Sequence, residues 1–261
     1  MAQLSDHERK ELFSETASIL GVTPAIVEKD FWVSWTLYHL FNDESLADQL
    51  MFKGGTSLSK VFGLIERFSE DIDLILNWDK LTSEDMKEPR SKTKDVKLSR
   101  DINELAASYI ADTLYPKINE LVKPVCECSK DDDPFVLNIR YSSAFPDEYL
   151  RPEIRLEIGP MAAWTPFEER AIHPLVHEAF PDLIGEPEFA LNVIKAKRTF
   201  WEKATILHHE ANRPKEAAPQ PLRYSRHYYD LAMMVKSDVK DEALSDVELL
   251  RPLHDQPINV R

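Results

Sequence analysis

The chain has 261 residues, 43% of them hydrophobic, enough to bury a sizeable core as one large domain or as a catalytic core with helical additions. Its formal net charge of −14 argues against a general nucleic-acid coat protein, because non-specific binding rests on phosphate neutralisation by Lys and Arg, but it leaves room for a local basic groove. No apolar run is long enough to span a bilayer and MAQLSDHERKEL is a charged helix start rather than a signal peptide, so a cytoplasmic protein with no membrane partner is expected.

In chain order, Ser5 with Glu8 makes a capping box for a first helix that Gly21 would end. Thr23 as N-cap and Pro24 at the first helical position start a second helix, to about Asn42. Its Phe31, Trp32, Trp35, Leu37 and Phe41 lie on more than one face, which predicts burial on both sides behind a catalytic sheet. Met51–Lys53 reads as the end of a short strand, Gly54-Gly55 as a tight turn, and Thr56 to about Leu64 as a helix with free first amides. Arg67-Phe68-Ser69 then leads into a strand in which Asp71 and Asp73 share one face and Ile72 takes the other.

Residues 80–97 read as a loop before a helix over 98–120, followed by strands at 122–129, 135–142 and 152–159. A proline-rich connection over 160–186 leads to a helix over about 188–210, a Pro-rich loop to Pro221 and a helix from about Ser225. The last 25 residues are acidic and weakly periodic. Cys126 and Cys128 are too few for a zinc site and are expected to be free thiols in a reducing compartment. Two basic stretches interrupt the acidic background: Lys87, Arg90, Lys92, Lys94, Lys97 and Arg100, and the run from Lys195 to Arg226. Each fits a local groove or a solvated face.

Chemistry concentrates in MFKGGTSLSKVFGLIERFSEDIDLIL, residues 51–76. Two carboxylates on one strand face repel, and a divalent cation rewards the pairing, since Mg²⁺ is usually held by one or two carboxylates plus substrate phosphates. A helix start with free amides binds phosphate. GGTSLSK lacks the spacing of a P-loop.

The diglycine turn followed by Asp-x-Asp resembles the signature of the polymerase-β-like nucleotidyltransferases, and within them the AbiEii/AbiGii toxin family. EKDFWVSW at 28–35, RTFWEKATILHHE at 198–210 and RHYYDLAMM at 226–234 extend the resemblance from about residue 28 to 235. It implies an α/β (α+β) fold: a nucleotidyltransferase core on a small mixed sheet over 46–165, an N-terminal helical support over 1–45 and a C-terminal helical part over 166–261. It also implies a toxin with a cognate antitoxin, in a toxin–antitoxin or phage-defence pair. The reaction would be transfer of a nucleoside monophosphate from an NTP to an RNA acceptor, with tRNA 3′ ends the leading class, releasing pyrophosphate. Transfer to a protein or small molecule, and a non-catalytic nucleotide-binding module, are the rival readings.

On this resemblance Gly54, Gly55, Thr56 and Ser57 would cradle the triphosphate, and Asp71 and Asp73 would hold Mg²⁺, with Mn²⁺ as a substitute. Glu153, Arg155 and Glu157 share a strand face, and Glu157 is the choice for a third metal carboxylate, against a surface charge alternating with a packed face. Lys195, Thr199 and Lys203 form a stripe on one helix face, and FWEK implies that Lys203 is the catalytic lysine contacting the triphosphate. Asp230 would be the general base or orient that base, against an acid merely favoured at a helix start. Ser69 matches a serine whose phosphorylation controls activity in some systems of the family, against a residue that only hydrogen-bonds a turn. His173 and His177 read as structural, and His208-His209 as explained by a helix end.

Overall fold

The computed structural model describes residues 2, 4–83, 91–123, 125–160, 164–182, 189–214 and 224–250. Lys87, Arg90, most of the Pro-rich loop and residues 251–261 lie outside the described residues. A seven-stranded mixed sheet takes the order β3-β4-β5-β2-β1-β7-β6, from β1 (Leu50–Lys53), β2 (Ile72–Leu76), β3 (Glu127–Lys130), β4 (Val136–Arg140), β5 (Glu153–Gly159), β6 (Phe167–Ile172) and β7 (Phe189–Ile194). Strand β1 is antiparallel to β2 and parallel to β7, and β2 runs parallel to β5.

Helix α1 (Asp6–Leu20) starts on the Ser5/Glu8 capping box and ends on Gly21 at φ +69°. Helix α2 (Pro24–Asn42) starts where Thr23 Oγ1 accepts the Ile26 N–H. It is buried nearly all round, and Phe31, Trp32 and Leu37 join Phe52, Ile72, Leu74, Leu156 and Val193 of the sheet in the main core. The short α3 (Glu44–Ala47) leads into β1, and α4 (Gly54–Lys60) leaves it.

Three consecutive charged residues of α2, Glu28-Lys29-Asp30, are all buried, and each holds a different segment. Glu28 accepts the Ser143 hydroxyl and the N–H groups of Ala144 and Phe145 at 2.7–3.0 Å. Lys29 donates to the carbonyls of Arg151 and Glu153 at 2.8 and 2.7 Å and pairs with Glu70 at 3.3 Å. Asp30 pairs with Lys60 at 2.6 Å and accepts the Leu175 N–H at 2.7 Å. A buried ion without partners costs several kcal/mol, so these contacts are what makes the burial tolerable. They fix the start of β5, the segment before Asp71 and the end of α4 against one helix.

Helix α5 (Lys92–Tyr109) begins six residues before the expected position and passes through a π-helical turn (110–114) into α6 (Tyr115–Val122). Pro116, which has no N–H to give the turn before it, sits at this change of winding. The expected connection over 160–186 contains β6 and α7 (Leu175–Ala179). The expected helix over 188–210 divides into β7 and α8 (Ala196–Ala211), because Leu191 and Val193 enter the core while β7 pairs with β6 on one side and β1 on the other. Lys195, extended at ψ 139°, is the joint. Helices α9 (Ser225–Val235) and α10 (Val239–Leu244) pack with α8 in a second core, around Leu58, Phe200, Met234 and Ala243. Among the described residues no helix is long and apolar enough to cross a membrane. Cys126 and Cys128 are free and buried, and burial pushes both thiols up to about 12.

Candidate active site

On the face covered by α8 and α9, three charged residues lie side by side across three strands. Lys53 is opposite Asp73 in the β1–β2 pair, and Asp73 is opposite Glu157 in the β2–β5 pair. Residues facing each other across strands put their side chains on the same side of the sheet, so Lys53, Asp73 and Glu157 form one row. Gly54 at φ +81° turns the chain directly over this row, and a Cβ there would overlap the Asp73 carboxylate. Only glycine meets both demands. A Cβ at Gly55 would come within 2.9 Å of Arg67 Nη2 and Ser69 Oγ, so the second glycine admits those two side chains.

Asp71 precedes β2 rather than belonging to it, and its carbonyl accepts the Thr56 hydroxyl. Its Oδ1 is buried without a hydrogen-bond partner. Burial raises the Asp73 carboxyl above the ordinary range, Lys53 opposes the shift, and Asp71 adds to it. Burial, then Asp73 and Asp71, push Glu157 up to about 7, although Arg155 lies 3.8 Å away. The folded chain therefore holds a proton at Glu157 that the unfolded chain has released between pH ~4.5 and ~7, so this group's stabilising contribution falls as pH rises through that window. Over it, the unfolding free energy of Glu157→Gln should gain about 2–3 kcal/mol relative to wild type, read from denaturant unfolding at each pH. Parallel pH profiles for the two proteins would show that Glu157 ionises freely.

These carboxylates suit a divalent cation: one buried oxygen has no donor, and neighbouring acids raise one another's proton affinity. Among the described residues no three His, Cys, Asp or Glu side chains are grouped to hold an ion by themselves. Two carboxylates completed by phosphate oxygens match that arrangement.

Opposite the carboxylates stands a second buried cluster. Asp230 of α9 is fully buried and receives Arg67 through two hydrogen bonds, Nε to Oδ1 at 2.6 Å and Nη2 to Oδ2 at 2.7 Å. Lys203 of α8 pairs with Asp230 Oδ2 at 2.7 Å. Burial pulls the Lys203 ammonium down and Asp230 offsets this only in part. Burial alone would raise Asp230, but Arg67 and Lys203 outweigh it and hold the carboxyl below the ordinary range. With both oxygens engaged by cations, the Asp230 carboxylate anchors Arg67 and Lys203 in this arrangement. Beside it, burial followed by Lys203 and Arg226 lowers the His227 imidazole to about 4.

The Lys195, Thr199, Lys203 stripe faces inward: Thr199 and Lys203 are buried, and Lys195 is half-buried at the helix start. Lys197 instead pairs with Asp246 at 2.7 Å, away from the carboxylates. The hydroxyls expected to touch phosphate are spent on backbone, Thr56 on Asp71 and Ser57 on the Gly54 carbonyl at 2.8 Å. They hold the turn and leave its amides for an anion. Ser69 lies in the segment before β2 that packs on Gly55. His173 and His177 stack at 4.5 Å, with the His173 carbonyl accepting Lys60. Arg67, Lys53 and Glu202 were not singled out in sequence. The one local signal was that Lys53 and Arg67 flank the diglycine and Asp-x-Asp elements.

The sequence model of the nucleotidyl transferase AbiEii toxin family, type IV toxin–antitoxin system, matches residues 35–257. The match starts at Trp35, so most of EKDFWVSW lies before it. Comparison with curated proteins finds no match. Among solved structures, MenT4, a nucleotidyltransferase toxin from Mycobacterium tuberculosis H37Rv, aligns over 96% of this chain and 98% of its own at 16% identity and a TM-score of 0.45. With the family's model matched over most of its length, the chain belongs to the AbiEii nucleotidyltransferase toxins of type IV toxin–antitoxin systems, and so is an enzyme paired with an antitoxin.

Proposed function

We propose that this toxin transfers a nucleoside monophosphate from an NTP to an RNA acceptor, with the 3′ end of tRNA the leading class, and releases pyrophosphate. The observation that carries this reading is the acidic row of Asp73 and Glu157, with Asp71, lying directly under the diglycine turn and facing buried Lys203. A new bond forms between an acceptor hydroxyl oxygen and the α-phosphorus, the hydroxyl proton passes to a base that Asp230 supplies or orients, and the bond from the α-phosphorus to the α–β bridging oxygen breaks, so that pyrophosphate leaves. Asp71 and Asp73 would hold Mg²⁺, or Mn²⁺ in its place, with Glu157 next in the row; a bound ion neutralises phosphate charge. The backbone amides of Gly54 to Ser57 would receive the triphosphate. Lys203 would oppose charge building on the departing pyrophosphate, while Asp230, itself held by Arg67, keeps its ammonium in place. Positioning and charge stabilisation suffice for phosphoryl chemistry of this kind.

The net charge of −14 favours one second reading, transfer to a protein or small molecule. Incubation with each α-labelled NTP, Mg²⁺ and, separately, total RNA, cellular protein and small acceptors decides between them. Label on RNA in the tRNA size range is expected. Label on protein alone would overturn the RNA reading, and NTP binding without transfer to anything would overturn transfer itself.

Ser69 bears on control. A phosphate there would bring about −1.5 to −2 charge against Gly55, beside the amides proposed to receive the NTP. Ser69→Asp is expected to weaken NTP binding at least about tenfold and suppress toxicity, while Ser69→Ala keeps both. Transfer by Ser69→Asp at the wild-type rate would reduce Ser69 to a residue that packs the turn.

A further inference from the structure

Lys53 raises a problem that its neighbours answer. It stands directly opposite Asp73 on the paired strand, where an ammonium and a carboxylate would ordinarily form an ion pair. A direct Lys53–Asp73 pair would occupy the carboxylate proposed to take a divalent cation. Among the described residues, however, the ion pair that Lys53 makes is with Glu202 Oε2, at 3.3 Å. Glu202 lies on α8, one residue before Lys203, and is largely buried.

Glu202 is itself held in place. Arg198, one helical turn earlier, lies 3.9 Å from it and is almost completely buried. The Arg198 Nη1 donates to the Leu249 carbonyl at 2.6 Å, and its Nε and Nη2 have no hydrogen-bond partner, so its charge is left to act on Glu202. Two further contacts tie the same helix to the C-terminal part: Lys197 to Asp246 at 2.7 Å and Trp201 Nε1 to the Ala243 carbonyl at 3.1 Å. The carboxylate that takes Lys53 therefore cannot follow it toward the strand.

We propose that Glu202 is a positioning residue that draws the Lys53 ammonium away from Asp73, keeping that carboxylate open to a divalent cation. The proposal rests on the reading of Asp71 and Asp73 as metal ligands. Lys53 remains near enough to temper the repulsion among the acids before a cation arrives, and Glu202 retains it afterwards. Without the Glu202 charge, Lys53 has Asp73 as its nearest acid and competes with the metal.

The test is Mn²⁺ binding to the full chain, read from the electron paramagnetic resonance of free Mn²⁺, with no nucleotide and no turnover. Glu202→Gln should weaken binding about five- to tenfold, and Lys53→Met should tighten it. The deciding arm is the double variant: with Lys53 absent there is nothing to hold back, so Glu202→Gln should then change affinity less than about twofold. An effect of Glu202→Gln as large in the Lys53→Met background as alone would show that Glu202 acts only by its charge at a distance, and overturn the proposal. So would an unaltered affinity in the single variant. Asp73→Asn separates the two levels: if it binds Mn²⁺ like wild type, or wild type binds none, the metal-ligand reading fails and takes this proposal with it.

Discussion

Asp73→Asn should abolish nucleotide transfer, by at least about a thousandfold, without lowering the melting temperature. The two effects have one cause. Burial and Asp71 disfavour the ionised Asp73 carboxylate in the folded chain, so its charge costs stability at neutral pH and is retained for another purpose. Asparagine keeps the shape under Gly54, removes repulsion within the acidic row and leaves Lys53 paired with Glu202. The melting temperature should therefore stay level or rise while activity disappears, the opposite of what a structural ion pair would give. Asp71→Asn should lose activity comparably. Turnover within tenfold of wild type in either purified variant would remove these carboxylates from the chemistry.

At Asp230 the expected balance is reversed. Asp230→Ala leaves the guanidinium of Arg67 and the ammonium of Lys203 without their anion, which should cost about 3–5 kcal/mol of folding stability and most of the activity. Lys203→Ala leaves Asp230 bonded to Arg67, so it should unfold at nearly the wild-type denaturant concentration yet lose transfer about a hundredfold or more. Lys197→Ala, which removes a contact to Asp246, should change transfer little. The informative measurement is Asp230→Asn, assayed for both properties. Loss of stability together with activity fits an anchor, whereas an inactive protein with wild-type stability would assign the general base to Asp230.

Local sequence chemistry was enough to place the ends of α1 and α2, because Ser5, Glu8, Gly21, Thr23 and Pro24 act within a few residues of themselves. The same holds for the diglycine turn and the alternation around Asp73, where the constraint is a backbone angle or a period of two. Strand β7 was hidden because Phe189, Val193 and Phe200 also satisfy a helical spacing, and only pairing with β1 and β6 decides the matter. The inward orientation of Lys203 was hidden for a related reason. A lysine in a helical stripe reads as solvated unless the acid that neutralises it is known, and that acid is Asp230 on another helix. Arg67, Lys53 and Glu202 gain their roles the same way, from partners far along the chain.

Those separations also bear on when, during synthesis, the site is completed. Lys53 meets Glu202 across 149 positions, and Arg67 meets Asp230 across 163. The N-terminal three-quarters of the chain carries the diglycine turn, the acidic row, Lys53 and Arg67, but Glu202, Lys203 and Asp230, which pair with or join them, arrive only with α8 and α9. During vectorial synthesis the growing polypeptide holds its carboxylates without Lys203, and β1 lacks its neighbour β7 until residue 194 has emerged. The site is thus completed only when α8 and α9 have been made, and chains that stop before residue 203 are expected to show no transfer activity.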